Sequence, residues 1–541
     1  MLLLIASFAG LGGFLFGYDL GLIAGALVYM EASLHLRESS EEVIVGMAKL
    51  GAVFGTFVGG ALMQDVGRRR AIAWNSVFFL LGPLIMAAAS GPAALSLGRF
   101  VVGLGVGASA VVVPAYVAEM SPPERRGAVV ITYELMLCLG MIASGLVDFA
   151  LRDAPGNWRL MVAAPVVPAV GVLVGARLLP ESPRWLVIRG RLPDALEVIH
   201  GLREGPKGME MLGEHRSTAR VEAELMELWS AVEKENAARA AVDAAETPGG
   251  DETEAPSHSP PSLAPTRLGP SALDRPASLG SFFRALSRTL AGVARLPRGE
   301  ESRAFRAALW LAFFNQACCS TSIINFAPQI LERAGVRDRD EAVLFAAAVS
   351  ATKLAGVAAS MLLVDRVGRR FLLVSGSWGA AASMAALAAA YAAEHTFACL
   401  LAMCAFMLCF SASWAGVFWV VASELFGMRN KSAALSATTA WLFAVGAAVD
   451  FAFLTVASAL GAWTFGLVAC VCAAGGVYVW MELPETKGRT LAEVQAMLAA
   501  GRGGAAGRGW ARGAGAIGRN RTSSYAPQVD EEREIEVTRM G

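Results

Sequence analysis

Asp19 stands near the middle of an apolar run, about 1–30, that is long enough to cross a bilayer. Its core reads Gly10-Leu-Gly-Gly-Phe-Leu-Phe-Gly-Tyr-Asp19-Leu-Gly-Leu-Ile-Ala-Gly25. A carboxylate at that depth costs roughly 2.5–3.5 kcal/mol on insertion scales, so it normally faces a partner or a water-filled cavity. Arg99, Glu134 and Lys353 also fall inside apolar runs. Together they offer groups that can exchange a proton and groups that can hydrogen-bond a hydroxylated solute. The plainer alternatives are local: Asp19 packed on a neighbouring helix, Arg99 snorkelling to a membrane edge, Glu134 and Lys353 satisfied by backbone carbonyls or water. Lys49, Asp148 and Asp450 are further charges in apolar context. Lys49 and Asp148 are expected near a membrane surface, where ionisation is cheap, and Asp450 as a structural residue without an identified partner.

These residues must be positioned by membrane-spanning helices. Of 541 residues 55% are hydrophobic and only 17% charged, with a mean hydropathy of +0.51; soluble domains carry about 25% charged residues. Twelve runs of spanning length occur at about 1–30, 43–63, 71–90, 93–118, 128–150, 159–180, 305–331, 342–364, 371–393, 396–422, 433–458 and 461–482. The pattern predicts an all-α membrane protein of two six-helix bundles, 1–180 and 304–482. Between them lies a cytoplasmic loop, 181–303, and after them a cytoplasmic tail, 483–541. The loop reads as charged helix to about Ala241, then as disordered from Glu246 to Ser281, where Pro, Ser, Gly and Asp dominate. All eight cysteines lie in apolar runs and read as small buried hydrophobes, not as a disulfide framework or zinc site. A net charge of zero argues against a general nucleic-acid binder.

Short loops set an expected orientation. Arg68, Arg69, Arg70, Arg125, Arg126, Arg366, Arg369, Arg370, Arg429 and Lys431 share one side, which the positive-inside rule makes cytoplasmic, with both termini. The first span is expected to act as its own signal anchor. The sequons at Asn430 and Asn520 are then cytoplasmic and expected to stay unglycosylated. The halves also echo each other. Gly67-Arg-Arg69 follows span 2 and Asp365-Arg-Val-Gly-Arg-Arg370 follows span 8, while Pro180-Glu-Ser-Pro-Arg-Trp185 ends span 6 and Pro484-Glu-Thr-Lys-Gly488 ends span 12. Parallel repeats of this kind point to alternating access around a midplane site.

With Gly98-Arg99-Phe-Val-Val-Gly-Leu-Gly105, Ser121-Pro-Pro-Glu-Arg-Arg126-Gly127 and Ser423-Glu424-Leu-Phe426 added, these motifs resemble the sugar-porter branch of the major facilitator superfamily. The resemblance covers nearly all twelve spans and is nearest to proton-coupled hexose, polyol and myo-inositol transporters. It implies that Asp19 pairs with Arg99, the aspartate carrying the proton and the arginine modulating it. Separating such a pair in a low-dielectric site would raise the affinity of the carboxylate for a proton.

The resemblance also implies a substrate set. Glu134 and Lys353 stand where most sugar porters carry amides, and are expected to face each other across the cavity. In span 7, Asn315, Gln316 and Thr321 stand at the family's two glutamines and an asparagine, with Gln316 kept. In span 10, Trp419 remains as a stacking wall although the prolines of the family's gate are gone, so gate motion must rely on Gly416 or other hinges. Trp441 in span 11 completes the set. Glu119, Arg126, Arg184, Asp365, Arg370, Glu424 and Arg429 match the charges that link the bundles on the cytoplasmic side, with Gln64 in place of the first-half acid that corresponds to Asp365.

The expected function is therefore a proton symporter for a hexose, pentose or cyclic polyol in the plasma membrane, or in a vacuolar or other organelle membrane. It is expected to act as a monomer and to need no cofactor. A facilitative uniporter and a sugar sensor on the same fold are the alternatives. No nucleotide fingerprint, metal cluster or nucleophilic triad suggests an enzyme.

Overall fold

A computed structural model describes residues 2–121, 126–203, 221–230, 232–233, 279–295, 302–336, 339–426, 431–489, 493–494 and 497–498. The disordered stretch expected at Glu246–Ser281 (but for its last residues), the sequons and the distal tail lie outside these residues. Among the described residues, twelve helices are long and apolar enough to span a bilayer: Gly10–Leu27, Ser39–Asp65, Arg68–Ala87, Pro92–Met120, Val129–Leu151, Asn157–Gly175, Ser302–Asn325, Ala348–Val367, Arg369–Ala392, Thr396–Leu425, Ala433–Leu460 and Trp463–Glu482. They are called spans 1–12 below, each taken with its full helix.

Inside the first half, helices approach closely because glycine removes the side chain from the contact. Gly13, Gly17, Gly21 and Gly25 recur every fourth residue on span 1 and all face span 5. A Cβ on Gly17 would lie 1.8 Å from the Leu137 carbonyl oxygen. Spans 2 and 4 repeat the device reciprocally: a Cβ on Gly107 would lie 2.0 Å from the Ala52 oxygen, and one on Gly55 2.2 Å from the Leu104 oxygen. Spans 1 and 5, and spans 2 and 4, are thereby joined backbone to backbone.

The halves meet chiefly along spans 2 and 11 and spans 5 and 8. Two spans of the second half are interrupted. Span 7 breaks at Cys319, whose φ of 58° is left-handed, between helices Ser302–Ala317 and Ser320–Asn325. Span 10 carries a π turn at Ser411–Ala415, between helices Thr396–Phe410 and Gly416–Leu425. Where the family's prolines are missing, span 10 thus carries a π turn abutting Gly416.

The loop contributes an element the sequence reading left unassigned, the amphipathic helix Leu279–Arg295. It packs on spans 2 and 11, and Gln64 Nε2 donates to Thr289 Oγ1 at 3.4 Å. Phe282, Phe283, Leu286, Leu290 and Val293 carry the helical spacing that marks it. Elsewhere in the loop, Trp185, Leu186, Leu192, Ala195, Ile199, Val221 and Leu225 bury one another in a small second core.

Candidate functional site

Asp19 on span 1 forms an ion pair with Arg99 on span 4, Oδ1 against Nη1. Asp19 is 4% exposed and Arg99 1%. The guanidinium also donates from Nε to the Ile44 carbonyl of span 2 at 3.3 Å, so three helices hold it. Arg99 is accordingly a buried partner and does not snorkel.

A small cavity opens beside this pair, lined by Phe16, Asp19, Val45, Lys49, Arg99, Asn325 and Asp450 among others. It measures about 10 Å³, the room a single water needs. Both halves of the chain contribute to its wall.

Lys49, expected near a membrane surface, and Asp450, expected as a structural residue without an identified partner, are partners. Nζ lies 2.8 Å from Oδ2, and Asp450 is wholly buried. Lys49 also donates to Thr321 Oγ1 at 2.7 Å and to the Gly446 carbonyl at 3.3 Å, while Ser322 Oγ donates to Asp450 Oδ1 at 2.5 Å. The break at Cys319 presents these two hydroxyls to the pair. Asp148 corrects a second expectation. It is buried, and neither carboxylate oxygen has a hydrogen-bond partner among the described residues.

Glu134 and Lys353 are both buried and interact electrostatically, without an ion-pair contact among the described residues. Glu134 Oε1 accepts instead from Trp419 Nε1 at 2.9 Å, and the Trp419 ring sits edge-on to Tyr133. A bond between span 5 and span 10 therefore crosses the halves. Asn315 Nδ2 donates to the Trp414 carbonyl at 3.2 Å and Gln316 Nε2 to Asn315 Oδ1 at 3.1 Å. Gln316 Oε1 stays buried with no partner. Trp441 does not join this set: it is 44% exposed, against 8% for Trp419. It lies nine residues before Asp450 on one helix, and nine steps of 100° set the two on opposite faces.

On the arginine-rich face, the acids expected to link the bundles pair inside their own halves. Glu119 takes Arg68 at 2.9 Å and Glu424 takes Arg369 at 3.1 Å. Asp365 lies 3.1 Å from the same Arg369. Arg370 turns away to the Trp480 carbonyl, because adjacent helical residues point 100° apart. Arg184 lies near Glu119 and acts on it electrostatically. Arg429 and the Arg126 side chain lie outside the described residues.

The repeated motifs meet here. Arg68 and Arg69 donate backbone N–H groups to the Glu181 carboxylate, and Arg369 and Arg370 donate theirs to Glu485. Ser182 Oγ completes Glu119 as Thr486 Oγ1 completes Glu424. Burial pushes the Glu181 carboxyl up from the ordinary glutamate range, and the backbone donors of Ser182, Arg69 and Arg68 hold that rise in check.

A family profile described as "Sugar (and other) transporter" matches residues 5–242 and 286–498. A probable metabolite transport protein of Bacillus subtilis, CsbC, is 30% identical over 92% of this chain and 94% of its own. The glucose transporter GlcP of Staphylococcus epidermidis is 28% identical over 91% and 96%, and a probable polyol transporter of Arabidopsis thaliana 26% over 91% and 93%. Among solved structures, the proton:xylose symporter XylE with bound 6-bromo-6-deoxy-D-glucose superposes with a TM-score of 0.71 at 22% identity, over 92% of this chain and 99% of that one. Inward-open XylE of E. coli gives 0.65 at 21% identity, over 92% and 100%.

Proposed function

This chain belongs to the sugar transporter family of the major facilitator superfamily, and we propose that it moves a monosaccharide or cyclic polyol by alternating access as a proton symporter. The observation that carries the coupling is the buried Asp19–Arg99 pair on a cavity walled by both halves. The Arg99 guanidinium lies against the Asp19 carboxyl and favours its charged form while the two are paired. When span 4 shifts against span 1 inside the first half and the arginine withdraws, burial favours the protonated carboxyl. Proton uptake is thereby tied to the conformational state.

Substrate recognition rests on Glu134, Asn315, Gln316, Thr321, Lys353 and Trp419. Carboxylate, ammonium, amide and hydroxyl together accept and donate to several hydroxyls, and the Trp419 ring offers an apolar wall. The unpartnered Gln316 Oε1 is an acceptor ready for one of them. The polyol and glucose transporters among the relatives fit such a ligand. The arginine-rich face is the cytoplasmic one in this reading, the membrane the plasma membrane and the monomer the working unit.

Uptake of labelled glucose, xylose and myo-inositol into vesicles, with and without an inward proton gradient, tests it. At least one is expected to accumulate above its outside concentration only with the gradient. Equal endpoints with and without it would make the protein a facilitative uniporter, and binding without flux a sensor.

A further inference from the structure

We propose that Lys49 and Asp450 are an inter-bundle bolt, a pair that must part each time the halves open on the face away from the arginine-rich loops. The other buried ion pairs described here, Asp19–Arg99, Arg68–Glu119 and Arg369–Glu424, each close within one half. Lys49–Asp450 joins span 2 to span 11.

Its surroundings form a seam between those two spans. Toward the start of span 2, Glu42 accepts from the Thr455 backbone N–H and hydroxyl at 3.0 and 3.1 Å. One turn along, Gly46 leaves room only for the Phe451 ring. Then comes Lys49, bound to Thr321, Gly446 and Asp450. Further down, Gly60 lies against Ser436. A substrate entering from the Glu42 end must unzip this seam, and the bolt is its strongest point. Two opposite charges packed in a low-dielectric site resist separation unless other polar groups take them over.

Those groups come from a polyhydroxylated ligand. Hydroxyls can accept from Lys49 and donate to Asp450, replacing Thr321 and Ser322. Thr321 and Gln316, both candidate substrate residues, already line this spot: Gln316 Oε1 and the Lys49 side chain crowd the same side of Gly446. Lys49 and Asp450 act as positioning residues for the transport step, holding the halves closed until the ligand relieves them.

The inference rests on alternating access but on neither proton coupling nor the identity of the sugar. It is tested in the full-length protein with Val45→Cys, which lines the cavity beside the pair, as reporter. A membrane-impermeant methanethiosulfonate is applied to each face of proteoliposomes in turn, without sugar or gradient; the chain with Val45 intact corrects for native cysteines. The neutral double Lys49→Met/Asp450→Leu is expected to label at least tenfold faster from the Glu42 face, and the swap Lys49→Asp/Asp450→Lys to return toward the parent rate. Thr321→Val with Ser322→Ala, which leaves both charges, is expected to give an intermediate rate and serves where the doubles do not elute as monodisperse protein. Parent-like labelling in these variants, in protein that elutes as monodisperse, would overturn the bolt. Absence of sugar exchange in the parent chain would instead overturn the transport reading.

Discussion

Glu181 and Glu485 occupy equivalent places in the two halves, each taking the backbone N–H groups of an arginine pair at the start of a span. The first turn of a helix leaves such donors without intrahelical partners. A carboxylate placed there satisfies them and complements the helix dipole. Glu485→Ala should therefore destabilise span 9 by about 1–2 kcal/mol, read as a lower midpoint of thermal unfolding in detergent. Glu485→Gln should lose less, since the amide oxygen still accepts.

Asp19→Asn should abolish concentrative uptake while leaving exchange down a gradient. Asparagine keeps the shape and an acceptor for Arg99, but cannot cycle a proton. The expected result is an accumulation ratio that falls to about one and no longer responds to pH, measured in vesicles with an imposed gradient. Persistence of pH-dependent accumulation would remove the proton from Asp19.

Glu134 and Lys353 should show coupling. Single neutralisations leave one buried charge without its counterpart, and each is expected to cut uptake about tenfold or more. The charge-swapped double should recover most of that loss. Additive effects in the double-mutant cycle would show that the two act independently. Glu134→Gln keeps the acceptor for Trp419 and should perturb Trp419 less than Glu134→Ala, a difference visible in its fluorescence.

Asp148 gives the opposite expectation. Its carboxyl group is buried with no hydrogen-bond partner among the described residues, and a buried polar group left without a hydrogen bond is destabilising. Asp148→Asn should leave the thermal midpoint unchanged or raise it. A clear fall would reveal a stabilising role for the carboxylate.

The glycine stripe on span 1 yields a steric test. Gly17→Ala puts a methyl 1.8 Å from the Leu137 oxygen, so spans 1 and 5 must move apart. Overpacking of this kind costs about 1–3 kcal/mol, and the variant should unfold earlier on heating. Gly145→Ala, on the partner helix with open space around its Cβ, is the control and should be silent.

The spans were legible because twenty apolar residues in a row admit few other readings, and each of the twelve helices falls on a predicted run. The repeated loop motifs were equally legible, since glycine, arginine and glutamate recur in one order in both halves. Facing was not. Neighbouring arginines differ by 100° of rotation, so the motif could not say that Arg369, and not Arg370, meets Glu424. Trp441 was misassigned for the same reason. The bond between Lys49 and Asp450 left no trace at all, because nothing local links residues on spans 2 and 11. The helix Leu279–Arg295 was masked by the polar composition around it.

The π turn at Ser411–Ala415 holds one residue more than α-helical winding requires. Winding that residue back into the α form turns everything after it by about 100° and shortens nothing. Trp419, four residues beyond the turn, would swing off Glu134 as the register slips. Such a rewinding would re-aim the indole by turning the whole segment Gly416–Leu425, and with it the end of the helix.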